Sequence, residues 1–113
     1  MSVKEIYDLK REGDLWVTTV LGRRYGFRRW TWGEKNEVTA KITHVDQITN
    51  AVSYDSAAFN LALFQLTVRK EVDGKFVPFT EEEIKTLEGP LGDRLFLLTQ
   101  KLNIVGQIET INL

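Results

Sequence analysis

The sequence predicts one α+β domain, mainly α, in which an N-terminal β-hairpin is followed by three to four helices packed around a single core. Three observations predict it. A run of β-branched and aromatic residues near the N-terminus is interrupted by a glycine turn. Two threonines each stand three places before a glutamate at the head of an apolar-periodic stretch, and leucines recur at helical spacing toward the C-terminus.

With 113 residues the chain is expected to be a single domain over 1–113, with 1–13 and 107–113 as its flexible ends. Apolar residues at 42%, charged residues at 27% and a net charge of −1 are ordinary globular values and give no bias toward polyanions. The absence of cysteine removes disulfides, thiolate nucleophiles and sulfur-rich metal sites, and fits an intracellular protein. Met1 to Lys10 mixes charges with Val3, Ile6, Tyr7 and Leu9 rather than forming the apolar core of a secretion signal. No run approaches the roughly 18 apolar residues of a membrane span. The expected location is therefore the cytoplasm, that of the host if the chain is viral, with no membrane partner.

Leu15 to Val20 and Tyr25 to Trp30 are strand-like, and Leu21 to Arg24 with Gly22 between them completes a hairpin. Thr31 and Glu34 form a capping box that starts a helix at Trp32. Over 38–46 the residues fit either period: Val38, Ile42 and Val45 recur as in a helix, while Val38, Ala40, Ile42 and His44 alternate as in a strand. The upstream box favours helix. Asp55 or Ser56 caps a second helix reaching about Arg69, with one stripe of Phe59, Ala62, Leu63 and Leu66 and another of Leu61, Phe64 and Val68, as befits a central helix. Asp73-Gly74 is a turn signal between Val72 and Lys75 to Val77, read as a short hairpin or an irregular loop. Thr80 and Glu83 make a second capping box, with Phe79 and Ile84 as its hydrophobic staple, opening a short helix that stops at Gly89. Pro90 then begins the last helix, whose Leu91, Leu95, Leu98 and Leu102 should pack on the central helix until Gly106 ends it.

No catalytic, cofactor or metal site is expected, and the chain reads as non-enzymatic. His44 is the only histidine and has neither a second histidine nor a cysteine to share a metal or build a nucleophile–base pair. Glu81, Glu82 and Glu83 are accounted for by capping and the helix dipole. Gly22, Gly26 and Gly33 do not reproduce a phosphate-binding loop. The basic, aromatic stretch from Arg23 to Trp30 is the alternative: arginines between stacking rings suit single-stranded nucleic acid. Strand alternation divides it, however, with Arg23, Tyr25, Phe27 and Arg29 on one face and Arg24, Arg28 and Trp30 on the other. Arg24, Arg28 and Trp30 are the candidate contacts of that alternative, and nucleic acid is not the expected partner.

Arg28-Arg29-Trp30-Thr31-Trp32-Gly33-Glu34-Lys35-Asn36 after a hairpin, Val52-Ser53-Tyr54-Asp55 leading to Phe59-Asn60, Thr80 to Ile84, Leu91-Gly92-Asp93 and Leu102-Asn103 occur in an order and spacing that resemble the tail assembly chaperones of long-tailed phages, prophages and archaeal tailed viruses. The resemblance runs from about Asp14 to Val105. It implies a mostly helical adaptor that binds the long tape-measure protein, keeps it soluble and helps tail-tube subunits assemble around it. Apart from the resemblance, a second copy of the chain, in a homo-oligomer, is also counted among the candidate partners. It brings no catalytic residues. A chaperone of a helical client needs exposed apolar surface. Phe96, Leu97 and Ile104, off the leucine stripe, together with Ile108 and Ile111 in the tail, are the candidate protein contacts.

Overall fold

The computed structural model describes residues 9–104. Its centre is an antiparallel sheet of five strands in the order β1-β2-β3-β6-β7. The strands are β1 (Lys10–Glu12), β2 (Leu15–Val20), β3 (Arg23–Phe27), β6 (Val68–Val72) and β7 (Lys75–Pro78). Between β3 and β6 the chain leaves the sheet for α1 (Trp32–Ile42), a two-stranded hairpin of β4 (Thr43–Val45) and β5 (Val52–Tyr54), and α2 (Ser56–Thr67). It ends with α3 (Glu81–Lys85) and α4 (Gly89–Asn103). Of the described residues, 45% are helical and 30% lie in strands.

This corrects the expectation of a mainly helical fold with only an N-terminal hairpin. The predicted hairpin is there as β2–β3, but it is the middle of a sheet. On one side β1 adds a strand with Lys10 opposite Val17, inside the 1–13 segment expected to be flexible, and Leu9 beside it is wholly buried. On the other side β6 pairs with β3, placing Val68 opposite Phe27 and Lys70 opposite Tyr25. The predicted second helix stops at Thr67 instead of Arg69, and the Asp73-Gly74 turn joins β6 and β7 as a true hairpin. Leu21-Gly22 and Asp73-Gly74 both have positive φ at each turn residue (52° and 78°; 51° and 79°), the handedness that matches the twist of paired strands.

The pairings fix two faces. Trp16, Val20, Tyr25, Phe27 and Val68 fall on one, and the helices cover it: Phe27, Leu95, Leu98 and Leu102 are among the most deeply buried side chains, with Phe64 and Phe79 beside them. Tyr25 stacks parallel to Phe79 at 6.4 Å between centroids, and Phe64 meets Phe79 edge-on at 5.3 Å. No helix is needed on the other face, because Leu15 of the neighbouring strand β2 and Phe76 of β7, one strand beyond β6, reach over Gly26 and bury it. Arg24 spans that face, with its guanidinium 2.5 Å from Glu12 and 2.7 Å from Glu71, and lies over the Phe76 ring.

Both capping boxes form: Thr31 and Thr80 accept from the N–H of Glu34 and Glu83, whose carboxylates accept from the threonine N–H. Asp55 caps α2. The short helix α3 ends at Lys85, and Gly89 opens the last helix rather than closing the one before.

Candidate protein interface

The ambiguous stretch 38–46 is helix first and strand second. Val38 and Ile42 are the buried stripe of α1, and β4 follows Ile42 without a loop because Thr43 adopts an extended conformation, with φ −88° and ψ 128°. The base of the hairpin is closed by the Asp55 N–H donating to the Ile42 carbonyl at 3.0 Å. Its tip is closed by Asp46, whose carboxylate accepts from the N–H groups of Ile48 (2.8 Å) and Thr49 (3.1 Å), while its carbonyl accepts from Asn50. Those N–H donors, Thr49 first and then Ile48, hold the Asp46 carboxyl below the usual carboxylate range.

The register places Thr43 opposite Tyr54 and Val45 opposite Val52, so one side of this arm carries Val45, Val52 and Tyr54 and the other His44 and Ser53. The apolar side is uncovered. Tyr54 is 64% exposed, both valines are about half exposed, and Ile48 at the tip is 93% exposed. At the base of the arm, α1 and α2 bound an open groove of about 390 Å³ with Val38, Ile42, Ala58, Ala62 and Leu66 among its apolar lining and Glu37, Lys41 and Gln65 on its rim.

At the far end of the groove Arg28 holds Glu34 through two guanidinium nitrogens, at 3.0 and 2.7 Å. The Arg28 guanidinium, and after it the Thr31 N–H, bring the Glu34 carboxyl down to about 2. A carboxyl with a depressed folded-state pKa stabilises the fold above its ordinary range and loses that contribution as pH falls toward the folded value. The pair is partly exposed, which reduces its worth to about 1 kcal/mol. Arg28→Met should therefore lower stability by about that amount at neutral pH in urea melts. The gap from wild type should shrink as pH is lowered from about 4.5 toward 2.

The structure separates the predicted contact residues. Phe96 is turned onto the core, whereas Leu97, 37% exposed, and Ile104, two helical turns later, share a side of α4. Ile108 and Ile111 lie outside the described residues. Of the nucleic-acid alternative, Arg24 and Arg28 are engaged with carboxylates and Trp30 meets Phe59 edge-on at 5.7 Å, so a phosphate would have to displace Glu12, Glu71 or Glu34. Glu83 of the acidic run pairs with Lys70, and Glu81 with Lys85. His44 stands on the polar side of the arm, and among the described residues no group of three or more acidic or histidine side chains is placed to hold a metal.

Reasoning from sequence missed Val45, Ile48, Val52 and Tyr54 as surface residues. Ile48 carried a signal: an isoleucine between Asp46 and Asn50, in a stretch of turn formers, has no periodic neighbour to pack with. Among the described residues no helix is long and apolar enough to cross a membrane. Compared with family models, curated protein sequences and solved structures, the chain has no match.

Proposed function

We propose that this chain is a non-enzymatic protein-binding adaptor of the tail assembly chaperone kind, which holds a long tape-measure protein soluble in the cytoplasm while tail-tube subunits assemble around it. The observation that carries protein binding is large apolar side chains standing in solvent outside the arm, Trp32 at 81% exposure and Leu97 on α4. The nature of the client follows from the family resemblance of the Arg28 to Asn36 segment and the motifs after it. Leu97 and Ile104, on one side of α4, are the contacts assigned to an amphipathic client helix.

Co-expression with a long tape-measure protein should move that protein into the soluble fraction. Leu97→Asp should reduce the soluble client severalfold while leaving the adaptor folded, because Leu97 is partly exposed and the substitution opens no core cavity. A client that is equally insoluble with and without the wild-type adaptor would defeat the reading.

A further inference from the structure

We propose that the β4–β5 arm is a self-association element, and that two copies of the chain exchange arms, each laying its hairpin along the α1–α2 groove of the other. The inference concerns a second copy of this chain and does not depend on what the client is.

Three observations carry it. The first is length. The three residues of β4 rise about 10 Å, the turn carries Ile48 further out, and α1, with 11 residues, is about 16 Å long. The arm begins where the groove ends, at Ile42 and Ala58, so a two-fold axis beside the arm's base sets each arm over the other copy's groove. Ile48 then arrives at the far end of the groove, near Leu66 and Gln65.

The second is area. The uncovered apolar side chains of one arm offer roughly 500 Å², short of the roughly 800 Å² per partner of a standard interface. Arms meeting face to face would stop there. In the exchanged arrangement each copy also buries its groove, which adds to the contact and puts apolar arm residues on an apolar floor of Val38, Ala58, Ala62 and Leu66. The small side chains of Ala58 and Ala62 let the arriving strand approach closely.

The third is charge. At the far end of the groove two guanidiniums, Arg28 and Arg69, stand with one carboxylate, Glu34. Arg69 donates to the carbonyls of Gln65 and Val68 and has no ion pair with a described residue. The arm's tip carries Asp46, held ionised by the N–H groups of its own turn, and delivers it to that end.

The chain contains no cysteine, so a disulfide can report the contact directly. Ile48→Cys and Gln65→Cys variants, each alone and then mixed under mild oxidation, should give a covalent dimer only in the mixture. Sedimentation should find wild type dimeric, and Ile48→Asp and Ala62→Glu monomeric with thermal melts that stay cooperative. Trp32→Ala, outside the contact, should remain dimeric. A monomeric wild type overturns the proposal. So does a cross-link formed by Ile48→Cys alone as efficiently as in the mixture, which would mean arms touching tip to tip, or an Ile48→Asp variant that stays dimeric. Client solubility is a separate readout: a monomeric wild type that still solubilises the tape-measure protein would remove the dimer and leave the adaptor standing.

Discussion

Asn103→Leu should destabilise the protein by about 3 kcal/mol, among the larger effects available from a side chain that is not fully buried. Its amide holds α4 to the start of α1. Trp30 donates its backbone N–H to Asn103 Oδ1 at 2.8 Å, and Asn103 Nδ2 donates to the Arg28 carbonyl at 3.1 Å and back to Thr99. Leucine fills the space but leaves the Trp30 N–H and the Arg28 carbonyl without partners, at about 1 to 3 kcal/mol each when buried. A fall of about 10 °C or more in Tm is expected for a domain of this size. Asn103→Asp, which keeps the acceptor for Trp30 but turns a carboxylate toward the Arg28 carbonyl, should recover little of it.

The same amide ends a chain of hydroxyls whose proton direction is fixed. Thr67 donates to the Leu63 carbonyl at 2.6 Å, so its oxygen is left to accept from Thr99, and Thr99 in turn accepts from Asn103. Both threonines are wholly buried. Thr67→Val alone leaves the buried Thr99 hydroxyl without its acceptor, whereas Thr67→Val with Thr99→Val removes both polar groups together. The double variant should be more stable than the sum of the single losses by at least about 0.5 kcal/mol, a coupling that urea melts resolve.

Asn103 also shows what was legible in the sequence. The pair Leu102-Asn103 could be seen as a motif but not as a tie, because its partners Arg28 and Trp30 lie more than 70 residues away. Signals that act within four residues were readable: the Thr31/Glu34 and Thr80/Glu83 boxes, the Asp55 cap, the Gly22 and Gly74 turns and the leucine stripe of α4 are all present. The sheet was not, since it depends on pairings between distant segments. β6 reads Val-Arg-Lys-Glu-Val and β1 Lys-Arg-Glu, charged sequences without apolar alternation. Val68 also extended the periodic stripe of α2, which hid the point where helix gives way to strand. The arm escaped notice for the same reason. Val45 fitted the helical period of Val38 and Ile42, and only the register of β4 against β5 puts it with Val52 and Tyr54 on an uncovered side.

Gly26→Val should cost about 2 kcal/mol, and Gly26→Ala much less. A Cβ at position 26 would stand 2.9 Å from Leu15 Cδ1 and 3.2 Å from the Phe76 ring. The nearer atom is the end of a flexible side chain, so a single methyl is accommodated by turning Leu15, and the lower backbone entropy of alanine offsets part of the cost. Valine adds two more methyl groups that meet both residues at once, and the Phe76 ring, under the Arg24 guanidinium, has less freedom to yield. Displacing Phe76 also loosens Arg24, which holds Glu12 of the edge strand β1 and Glu71 of β6 to one point. Hydrogen exchange in β1 should accordingly rise in Gly26→Val beyond what global destabilisation explains. Leu15→Ala makes room, so Gly26→Val combined with Leu15→Ala should be less destabilised than the two losses added, by about 1 kcal/mol. Strict additivity would mean that the uncovered face of the sheet is not closed by Leu15 and Phe76 meeting over glycine, and that the burial of Gly26 has another cause.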